Sequence, residues 1–410
     1  MDALTTPSNW QRVRLGDILE LLTDYHANGS YEILKNNVTL LKNVDFAIMI
    51  RTTNFENNDF KNDLIYIDKK AYEFLSKSKV FAGDILVNKI ANAGTAYFMP
   101  KLNQPVSLGM NLFLLRIKPS YNNLFIFKQI ANYERVLKTF ANGSATKTIT
   151  KNVIKNLLIP LPPLNEQIAI ANILSDVDRY LYSLDALILK KESVKKALSF
   201  ELLSQRKRLK GFNQNWQRVR LGDIAEIKRG ASPRPIENPK WFCTNSNVGW
   251  VRISDISKNS RFLYKTAQKL SKKGIEKSRF VKQNSLIMSM CATIGKPIIT
   301  KIDTCIHDGF VVFENPKIDL NYLYYFLCYI EKEWLESGQQ GSQVNLNVDL
   351  IKNKEVFCPK DLDEQIAIAN ILSGLDHEII SLKNKKRQFE NIKKALNHDL
   401  MSAKIRVLKK

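Results

Sequence analysis

The ten residues EQIAIANILS stand at positions 166–175, and the same ten residues stand again at positions 364–373. A second repeated stretch, WQRVRLGDI, occupies positions 10–18 and 216–224. The two matches are 198 and 206 residues apart, so the chain is a tandem repeat of two parts. Repeats of this length are domain duplications, because the units of solenoids are only about 20–50 residues long.

Each decamer is predicted to begin a long helix. Asn165 after two prolines is a good N-cap residue, and Asp363 is predicted to play the same part in the second copy. Beyond the decamers, apolar residues recur at steps of three and four over about four heptads, which is the pattern of a coiled coil. We expect Gly211 to end the first helix, which would then be roughly 45 residues or about 66 Å long.

An amphipathic helix of that length must cover its apolar stripe, and the simplest partner for each long helix is the other one. We predict an antiparallel pair related by a pseudo-twofold axis, with a domain at each end. The alternative is that each helix packs on its own domain as part of its core.

The segments between the helices are predicted to be α/β domains built on one plan. IMIRTTNF at 48–55 aligns with WVRISDIS at 250–257, and DILVNKIANAGTA at 84–96 aligns with SLIMSMCATIGKP at 285–297. These strand-like apolar runs are interrupted by polar residues and a glycine. We therefore predict an α+β fold with two domains at 1–165 and 211–363, and with helical spacers at 166–210 and 364–410.

The charge of the chain points to a polyanionic partner. The net charge is +22, and the four segments just named carry +7 (1–165), +3 (166–210), +7 (211–363) and +5 (364–410). An excess spread over the whole chain indicates an extended contact with a polyanion, of which nucleic acid is the first candidate. A merely basic soluble protein is the alternative on charge alone.

The sequence offers no sign of secretion, membrane insertion or a metal site. The longest aromatic and apolar run, YLYYFLCYI at 322–330, is half the length of a membrane span. The first 17 residues lack the apolar core of a signal peptide. The cysteines are odd in number and lack a Cys-x-x-Cys spacing, which favours a cytosolic (cytoplasmic) protein with reduced thiols; they are Cys243, Cys291, Cys305, Cys328 and Cys358.

No catalytic constellation is recognisable. A methyltransferase acting on adenine would need a glycine-rich turn for its cofactor and an Asn/Asp-Pro-Pro-Tyr-type loop for the flipped base. LPPL at 161–164 lacks both the amide and the aromatic residue, and TIGKP at 293–297 lacks the spacing of a phosphate-cradling loop. The four histidines do not cluster in sequence.

Both repeated motifs, together with GASPRP at 230–235 and the later WVRISDI, resemble the DNA-specificity subunits of Type I restriction–modification systems. The resemblance covers nearly the whole chain. The first half departs from the Gly-x-x-Pro opening, since LLTDYHANGSYEIL at 21–34 has no such motif. The first domain is therefore expected to be of a different subtype.

The resemblance implies a non-catalytic chain whose two target-recognition domains each read one half of a split, asymmetric site in double-stranded DNA. The paired helices would act as a spacer and would dock two methyltransferase subunits, which motor–nuclease restriction subunits join. S-adenosylmethionine, ATP and Mg²⁺ would serve those partners, and no cofactor is expected on this chain. For docking we single out the two helix starts: Glu166, Gln167 and Ile168, and Glu364, Gln365 and Ile366.

A stand-alone bipartite DNA-binding or regulatory protein without enzyme partners is the alternative function. It fits the charge and the duplication equally well. It does not explain why the helices, rather than the domains, carry the strictest identity. An enzyme in its own right and a purely structural coiled coil are disfavoured by the missing motifs and by the two large domains.

Candidate phosphate contacts are concentrated at 258–282, which holds nine cations against one acid. A solvated protein face is the alternative interpretation of this run. The phosphate candidates are Lys258, Arg261, Lys265, Lys269, Lys272, Lys273, Lys277 and Arg279, with Lys89 and Lys296 beside glycine turns.

Candidate base contacts lie in two polar loops just before the long helices, where amides and hydroxyls could reach groove edges. They are Ser144, Thr146 and Lys147 in the first half and Gln339, Gln340, Ser342 and Gln343 in the second. These loops could instead orient the helix entry. Arg252 aligns with Arg51 on paired strands, where either residue could equally be a structural ion-pair partner.

Overall fold

A computed structural model describes residues 9–141, 147–337 and 346–407. The chain divides into two compact units, Met1–Ser183 with Lys386–Lys410 and Leu184–Lys385. Each unit contains the sheets of one repeat together with half of each long helix. The division proposed from the sequence separates helices from domains, whereas the compact units combine them.

In its described residues, the first repeat contains ten strands and six short helices. The strands are β1 (Gln11–Arg14), β2 (Leu19–Asp24), β3 (Ala47–Ile50), β4 (Tyr66–Ile67), β5 (Lys79–Val80), β6 (Ile85–Asn88), β7 (Ala96–Phe98), β8 (Val106–Leu108), β9 (Leu112–Ile117) and β10 (Leu158–Leu161). The helices are α1 (Tyr31–Asn37), α2 (Thr52–Glu56), α3 (Lys69–Phe74), α4 (Asn123–Asn132), α5 (Glu134–Thr139) and α6 (Lys151–Lys155).

Three sheets organise this repeat. An antiparallel sheet has the order β2-β9-β6-β7, and a mixed sheet has the order β4-β3-β8-β5, in which β3 and β8 are parallel. The opening strand β1 pairs with β10 just before the first long helix, α7 (Leu164–Leu203). The motif that opens the repeat and the motif that closes it are thus brought together by a two-stranded ribbon.

The second repeat has the same plan, with eleven strands and six short helices in the part of it that the structure describes. The strands are β11 (Gln217–Arg220), β12 (Glu226–Arg229), β13 (Gly249–Val251), β14 (Phe262–Leu263), β15 (Gln268–Lys269), β16 (Arg279–Val281), β17 (Leu286–Ser289), β18 (Pro297–Thr300), β19 (Thr304–Ile306), β20 (Phe310–Glu314) and β21 (Glu355–Cys358). The helices are α8 (Leu221–Ile224), α9 (Ile253–Ser257), α10 (Lys272–Glu276), α11 (Leu320–Tyr329), α12 (Glu331–Ser337) and α13 (Val348–Asn353), and the second long helix, α14 (Leu362–Met401), comes after them.

Strand order confirms the predicted internal repeat. The sheet β12-β20-β17-β18-β14 reproduces the first antiparallel sheet with one added strand, β14, and β15-β13-β19-β16 reproduces the mixed sheet. The ribbon β11–β21 corresponds to β1–β10. Two repeats of dissimilar surface sequence therefore share one frame, because the buried central strands are kept while the connections vary.

The long helices are both 40 residues long, and their ends differ from the predicted ones. The first helix ends at Leu203 and not near Gly211, because Gln205 adopts a left-handed backbone conformation with φ of 63°. Ala403 adopts the same conformation after α14, with φ of 58°. The predicted caps also move, since the Asp361 carboxylate accepts the N–H of Asp363 at 2.9 Å at the start of α14.

Within the first unit, residues 164–183 of α7 run antiparallel to residues 386–401 of α14. Asp178 accepts Lys393 at 2.6 Å, and the rings of Tyr180 and Phe389 lie 4.5 Å apart. The core of this unit includes Leu174 from α7 together with residues from the end of α14.

The second unit pairs the opposite halves of the same helices, again antiparallel. Lys195 binds Asp376, and Lys191 binds Glu378. Leu202 from the end of α7 and Leu372 from the start of α14 belong to one core. The predicted antiparallel helix pair is confirmed, and burying each such leucine stabilises its unit by about 1.5–3 kcal/mol.

Candidate nucleic-acid interface

The glutamate of the first decamer lies at the centre of a buried cluster. Glu166 is only 2% exposed, and its carboxylate accepts the indole N–H of Trp10 at 3.3 Å. Arg406, which lies beyond the end of α14, donates Nε at 2.8 Å and Nη2 at 3.1 Å to the same carboxylate. The repeated tryptophan and the repeated glutamate are therefore parts of one hydrogen-bonded site.

The second decamer builds the same cluster from corresponding residues. Glu364 is 1% exposed and accepts the indole N–H of Trp216 at 3.2 Å. Arg208, which lies beyond the end of α7, donates Nε at 3.3 Å and Nη2 at 2.8 Å. In each unit the arginine thus comes from the segment just after the other repeat's long helix.

The glutamine beside each glutamate joins the helix start to the domain. The Gln167 side chain accepts the N–H of Asn122 at 2.9 Å and donates to the Pro162 carbonyl at 2.8 Å. Gln365 makes the matching bonds to the N–H of Asp319 and the carbonyl of Pro359, both at 2.8 Å. An amide side chain fits this position because it donates and accepts at once.

These contacts correct the docking prediction for Glu166, Gln167, Glu364 and Gln365. All four side chains are at most 2% exposed and face the interior of their own unit. The decamer recurs without change because the same buried polar network is built twice, and an unpaired buried carboxylate or amide would be costly.

The isoleucines of the docking prediction lie on the opposite side of the helix starts. Ile168 is 41% exposed and Ile366 is 37% exposed. Leu164 and Leu362, one helical turn earlier, are 41% and 51% exposed. Each unit therefore presents a short apolar stripe at the start of a long helix, and exposed apolar patches of this kind mark interaction surfaces.

The basic run of the second unit is largely exposed. Lys258 lies directly after α9, Lys269 ends β15, and Lys272 and Lys273 begin α10. The exposed members are Lys258, Lys265, Lys269, Lys272, Lys273, Lys277 and Lys282. Among the residues that the structure describes, none of these ammonium groups has a carboxylate partner, so their field is directed into solvent, where a polyanion could bind.

Arg261 is a different case, and the structure removes it from the candidate phosphate contacts. It is 6% exposed, and Nη1 donates to the Tyr325 hydroxyl at 3.0 Å and to the Ser373 hydroxyl at 2.7 Å. Nη2 donates to the Asn321 side-chain oxygen at 2.6 Å. Arg261 therefore ties the basic segment to α11 and α14, and its charge does not face solvent.

Two other candidates are also held by protein groups. Lys89 binds Asp24 at 2.9 Å, and Lys151 binds the same carboxylate at 3.1 Å. Burial alone would raise the pKa of Asp24, but the hydrogen bonds from the two lysines outweigh it and hold that pKa below its ordinary value. Arg279 is half-buried and donates Nε to the carbonyl of Arg229 at 3.2 Å.

The remaining candidates differ in accessibility. Arg252 and Lys147 are exposed, and Lys296 is half-buried. Arg51, the counterpart of Arg252, binds Asp63 at 3.5 Å. Six predicted base contacts lie outside the described residues: Ser144, Thr146, Gln339, Gln340, Ser342 and Gln343.

A cleft of about 290 Å³ in the second unit escaped prediction from the sequence. Its walls include Arg229, Cys291, His307 and Asp308. The GASPRP segment closes on it very tightly, since a Cβ on Gly230 would lie 2.0 Å from the His307 carbonyl oxygen. The glycine of that motif was the available signal, because only glycine permits such a backbone approach.

Hydrogen bonds fix the polar groups of this cleft. The Asp308 carboxylate accepts Ser232 Oγ at 2.9 Å and Arg234 Nη2 at 3.1 Å, and its carbonyl accepts Arg229 Nε at 2.8 Å. His307 Nδ1 accepts the N–H of Gly309 at 2.9 Å, which requires an unprotonated nitrogen. Burial lowers the pKa of His307, in agreement with a neutral ring. The cleft thus combines fixed donors and acceptors, the chemistry that reads base edges.

Among the described residues, no three His, Cys, Asp or Glu side chains are grouped so that they could hold a metal ion. Within the same residues, no helix has the length and apolar composition needed to cross a membrane.

Comparison with known proteins decides the family. The model of the Type I restriction modification DNA specificity domain matches residues 7–191 and again residues 213–391. The chain belongs to the Type I DNA-specificity family. The members of this family are the non-catalytic specificity subunits of their restriction enzymes.

Curated relatives of this family span almost the whole chain. The MjaVIII specificity subunit of Methanocaldococcus jannaschii is 26% identical, with 99% of this chain and 95% of the relative covered. A putative MjaX specificity subunit of the same organism is 28% identical, with 97% of each covered. Both relatives match this chain over nearly their own full length.

Solved structures show the same fold in the family. The Type I S subunit from M. genitalium has a TM-score of 0.60 at 18% identity, with 97% of each chain covered. The HsdS subunit from Thermoanaerobacter tengcongensis has a TM-score of 0.52 at 17% identity, with 98% of this chain and 99% of that one covered. At these identities the likeness concerns the fold of a specificity subunit alone.

Proposed function

We propose that this chain is the sequence-reading subunit of a Type I restriction–modification complex, and that each unit reads one half of an asymmetric, bipartite site in double-stranded DNA. The observation that carries the proposal is that the two units share one arrangement of sheets and helices but expose different side chains to solvent. Identical buried clusters hold both helix starts, whereas the exposed lysine run and the GASPRP cleft belong to the second unit. Two different half-sites separated by a gap are what such a molecule would bind.

In the second unit we assign phosphate and base contacts to different surfaces. The exposed lysines at 258–282 would neutralise phosphates and set affinity, since that contact carries no sequence information. The cleft with Arg229, Arg234 and Asp308 would contribute base contacts together with Gln339, Gln340, Ser342 and Gln343. In the first unit, Lys147 with Ser144 and Thr146 would contribute the corresponding base contacts. The exposed Arg252 and the half-buried Lys296 remain proposed DNA contacts of the second unit.

Recruitment of the methyltransferase is assigned to the apolar stripes. Leu164 and Ile168 in the first unit match Leu362 and Ile366 in the second, so two copies of one partner would each find the same surface. Motor–nuclease restriction subunits would then join that assembly. A related solved structure is described as addressing complex assembly and conformational transition of the Type I system. Adenine methylation and ATP-driven cleavage would belong to those partners.

The decisive experiment is co-expression with the methyltransferase subunit and genome-wide mapping of methylated adenines. A two-part motif with a fixed gap, lost when this chain is deleted, is the expected result. Stable DNA binding without recruitment of a methyltransferase would instead favour a stand-alone DNA-binding protein.

Paired variants separate recruitment from DNA reading. Ile168→Lys with Ile366→Lys should abolish co-purification of the methyltransferase and leave DNA binding by the chain in place. Tyr182→Lys is the matched control, because Tyr182 is a 72% exposed apolar residue elsewhere on α7. Equal loss in control and test variants would contradict the assignment of the stripes.

The spacer role has its own test. Inserting four residues at matching positions of both long helices should lengthen the gap between the two methylated half-motifs. An unchanged gap in a chain that still methylates DNA would contradict the spacer role without affecting the proposed recognition by each unit.

A further inference from the structure

One ion pair between the two long helices occurs at corresponding positions in both units. Positions in α7 and α14 correspond at an offset of 198 residues, as the decamers do. In the first unit Lys393 binds Asp178 at 2.6 Å, and in the second unit Lys195 binds Asp376 at 2.5 Å. Both pairs consist of the same two repeat positions. This contact would form equally well if either helix paired with a second copy of itself.

A neighbouring contact between the two helices differs in chemistry between the two units. In the first unit Tyr180 packs on Phe389, with ring centroids 4.5 Å apart and an interplanar angle of 53°. The corresponding positions in the second unit are Glu378 and Lys191, which form an ion pair at 2.5 Å. One geometrical contact is therefore aromatic in one unit and charged in the other.

Pairing of like helices would mismatch both contacts. Two copies of α7 would place Tyr180 against Lys191 twice, so the aromatic pair and the ion pair would both be lost. Two copies of α14 would place Glu378 against the ring of Phe389 twice, and a carboxylate against a ring face has neither a cation nor a hydrogen-bond donor. Only the pairing of α7 with α14 satisfies both positions.

We infer that the two long helices are a heterotypic pair, in which positions 180/378 and 191/389 select α7 for α14 and discriminate against the pairing of either helix with its own counterpart in a second chain. This property is separate from DNA recognition and from methyltransferase docking. It disfavours dimers in which α7 pairs with the α7 of a second chain and α14 with its α14. Complementary and mismatched residues at register positions are the usual means of such selection.

The full-length chain allows a direct test by exchange of residues. Tyr180→Glu with Glu378→Tyr keeps composition and net charge but makes each helix complementary to itself. Adding Lys191→Phe and Phe389→Lys restores complementarity between α7 and α14 with every chemistry inverted. Sedimentation velocity over a range of concentrations would measure dimerisation, and thermal unfolding would measure the stability of the chain.

We expect the double variant to dimerise at least roughly tenfold more strongly than the parent chain or to unfold at a lower temperature. The size of this effect corresponds to the loss of one aromatic pair and one partly exposed ion pair between α7 and α14. The quadruple variant should return to the parent behaviour in both measurements. A double variant that behaves like the parent would overturn the inference. So would a quadruple variant as impaired as the double one, because the residues would then matter individually and not as pairs.

Discussion

Residues 57–80 of the first unit and residues 258–282 of the second occupy corresponding places in the repeat, but their charges are used differently. In the first unit, Asp68 caps α3 by accepting the N–H of Ala71 at 2.7 Å, and Asp59 closes a turn. In the second unit, Ser271 caps α10 and no aspartate is needed. In the first unit, acids that cap a helix or close a turn offset the positive charge of the lysines. These acids are replaced in the second unit, so its corresponding segment is strongly basic.

The buried clusters show the opposite behaviour, since they are the same in both units. Glu166 and Glu364 have the same tryptophan and arginine partners at nearly the same distances. The frame is thus constrained by buried polar groups that must all be satisfied, whereas the solvent-facing charge is free to differ. The two units should therefore respond alike to changes in the frame and unlike to changes on the surface.

The largest effect is expected from the buried glutamates. Glu166→Gln and Glu364→Gln should each lower the free energy of unfolding by about 2–4 kcal/mol, because an arginine loses its charged partner in a buried site. Chemical denaturation of the two variants would measure this. Glu355→Gln is the control, since its pair with Arg218 is exposed and should contribute less than about 1 kcal/mol. Clearly unequal losses for the two buried glutamates would break the equivalence of the units.

Arg261 should give the next largest effect, and in the second unit only. Arg261→Gln should destabilise the chain by about 1–3 kcal/mol, since three hydrogen bonds of a buried guanidinium are disturbed. The salt dependence of DNA binding should stay the same. A reduced salt slope with unchanged stability would return Arg261 to the set of phosphate contacts.

The exposed lysines should reveal the difference between the surfaces. Replacing Lys272, Lys273 and Lys277 by Gln should reduce the slope of log K against log salt by about 2–3, at about 0.9 per phosphate contact. Binding of double-stranded DNA by the chain purified with its methyltransferase would be titrated over a range of salt concentrations. The matched variant of the first unit, with Lys69, Lys70 and Lys77 replaced, should change the slope less. Equal changes would mean that the acids of the first unit do not cancel its lysines.

The smallest effect concerns pH and the cleft of the second unit. Burial lowers the pKa of His307, so the folded chain keeps this ring neutral while the unfolded chain takes up a proton below about pH 6.5. The contribution of His307 to the free energy of unfolding is fully present above that pH and is lost as the pH falls toward the folded pKa. His307→Asn should remove this part of the pH dependence, which denaturation at a series of pH values around that point would measure. A slope unchanged by the substitution would show that the pKa of His307 is the same in the folded and in the unfolded chain.

The architecture was largely predictable because its signals are periodic or repeated. The heptads indicated the antiparallel helices, and the two alignments between domains indicated a common sheet plan. The helix ends were missed because Gln205 and Ala403 take a left-handed conformation without being glycine. That conformation depends on tertiary packing at the helix end, which no local pattern reports.

The site was less predictable, because sequence identity does not distinguish a buried network from a shared docking surface. Glu166 and Gln167 are charged or polar residues at a helix start, where exposure is the ordinary expectation. Arg261 lies in a run of lysines, and its burial could not be predicted because its partners Tyr325 and Ser373 are 64 and 112 residues away in the sequence. The Asp308 cleft likewise depends on contacts between residues that are 76 and 74 positions apart.

The arginine that each buried glutamate receives has a consequence for the order in which the chain is made. Arg208 is synthesised 156 residues before Glu364, so the second glutamate meets its partner as soon as it emerges. The ion pair of Glu166 forms only after Arg406 has been synthesised, 240 residues later. At ordinary rates of translation this delay is on the order of 10–50 s. The unit whose synthesis begins first is therefore completed last, by the segment that follows the second long helix.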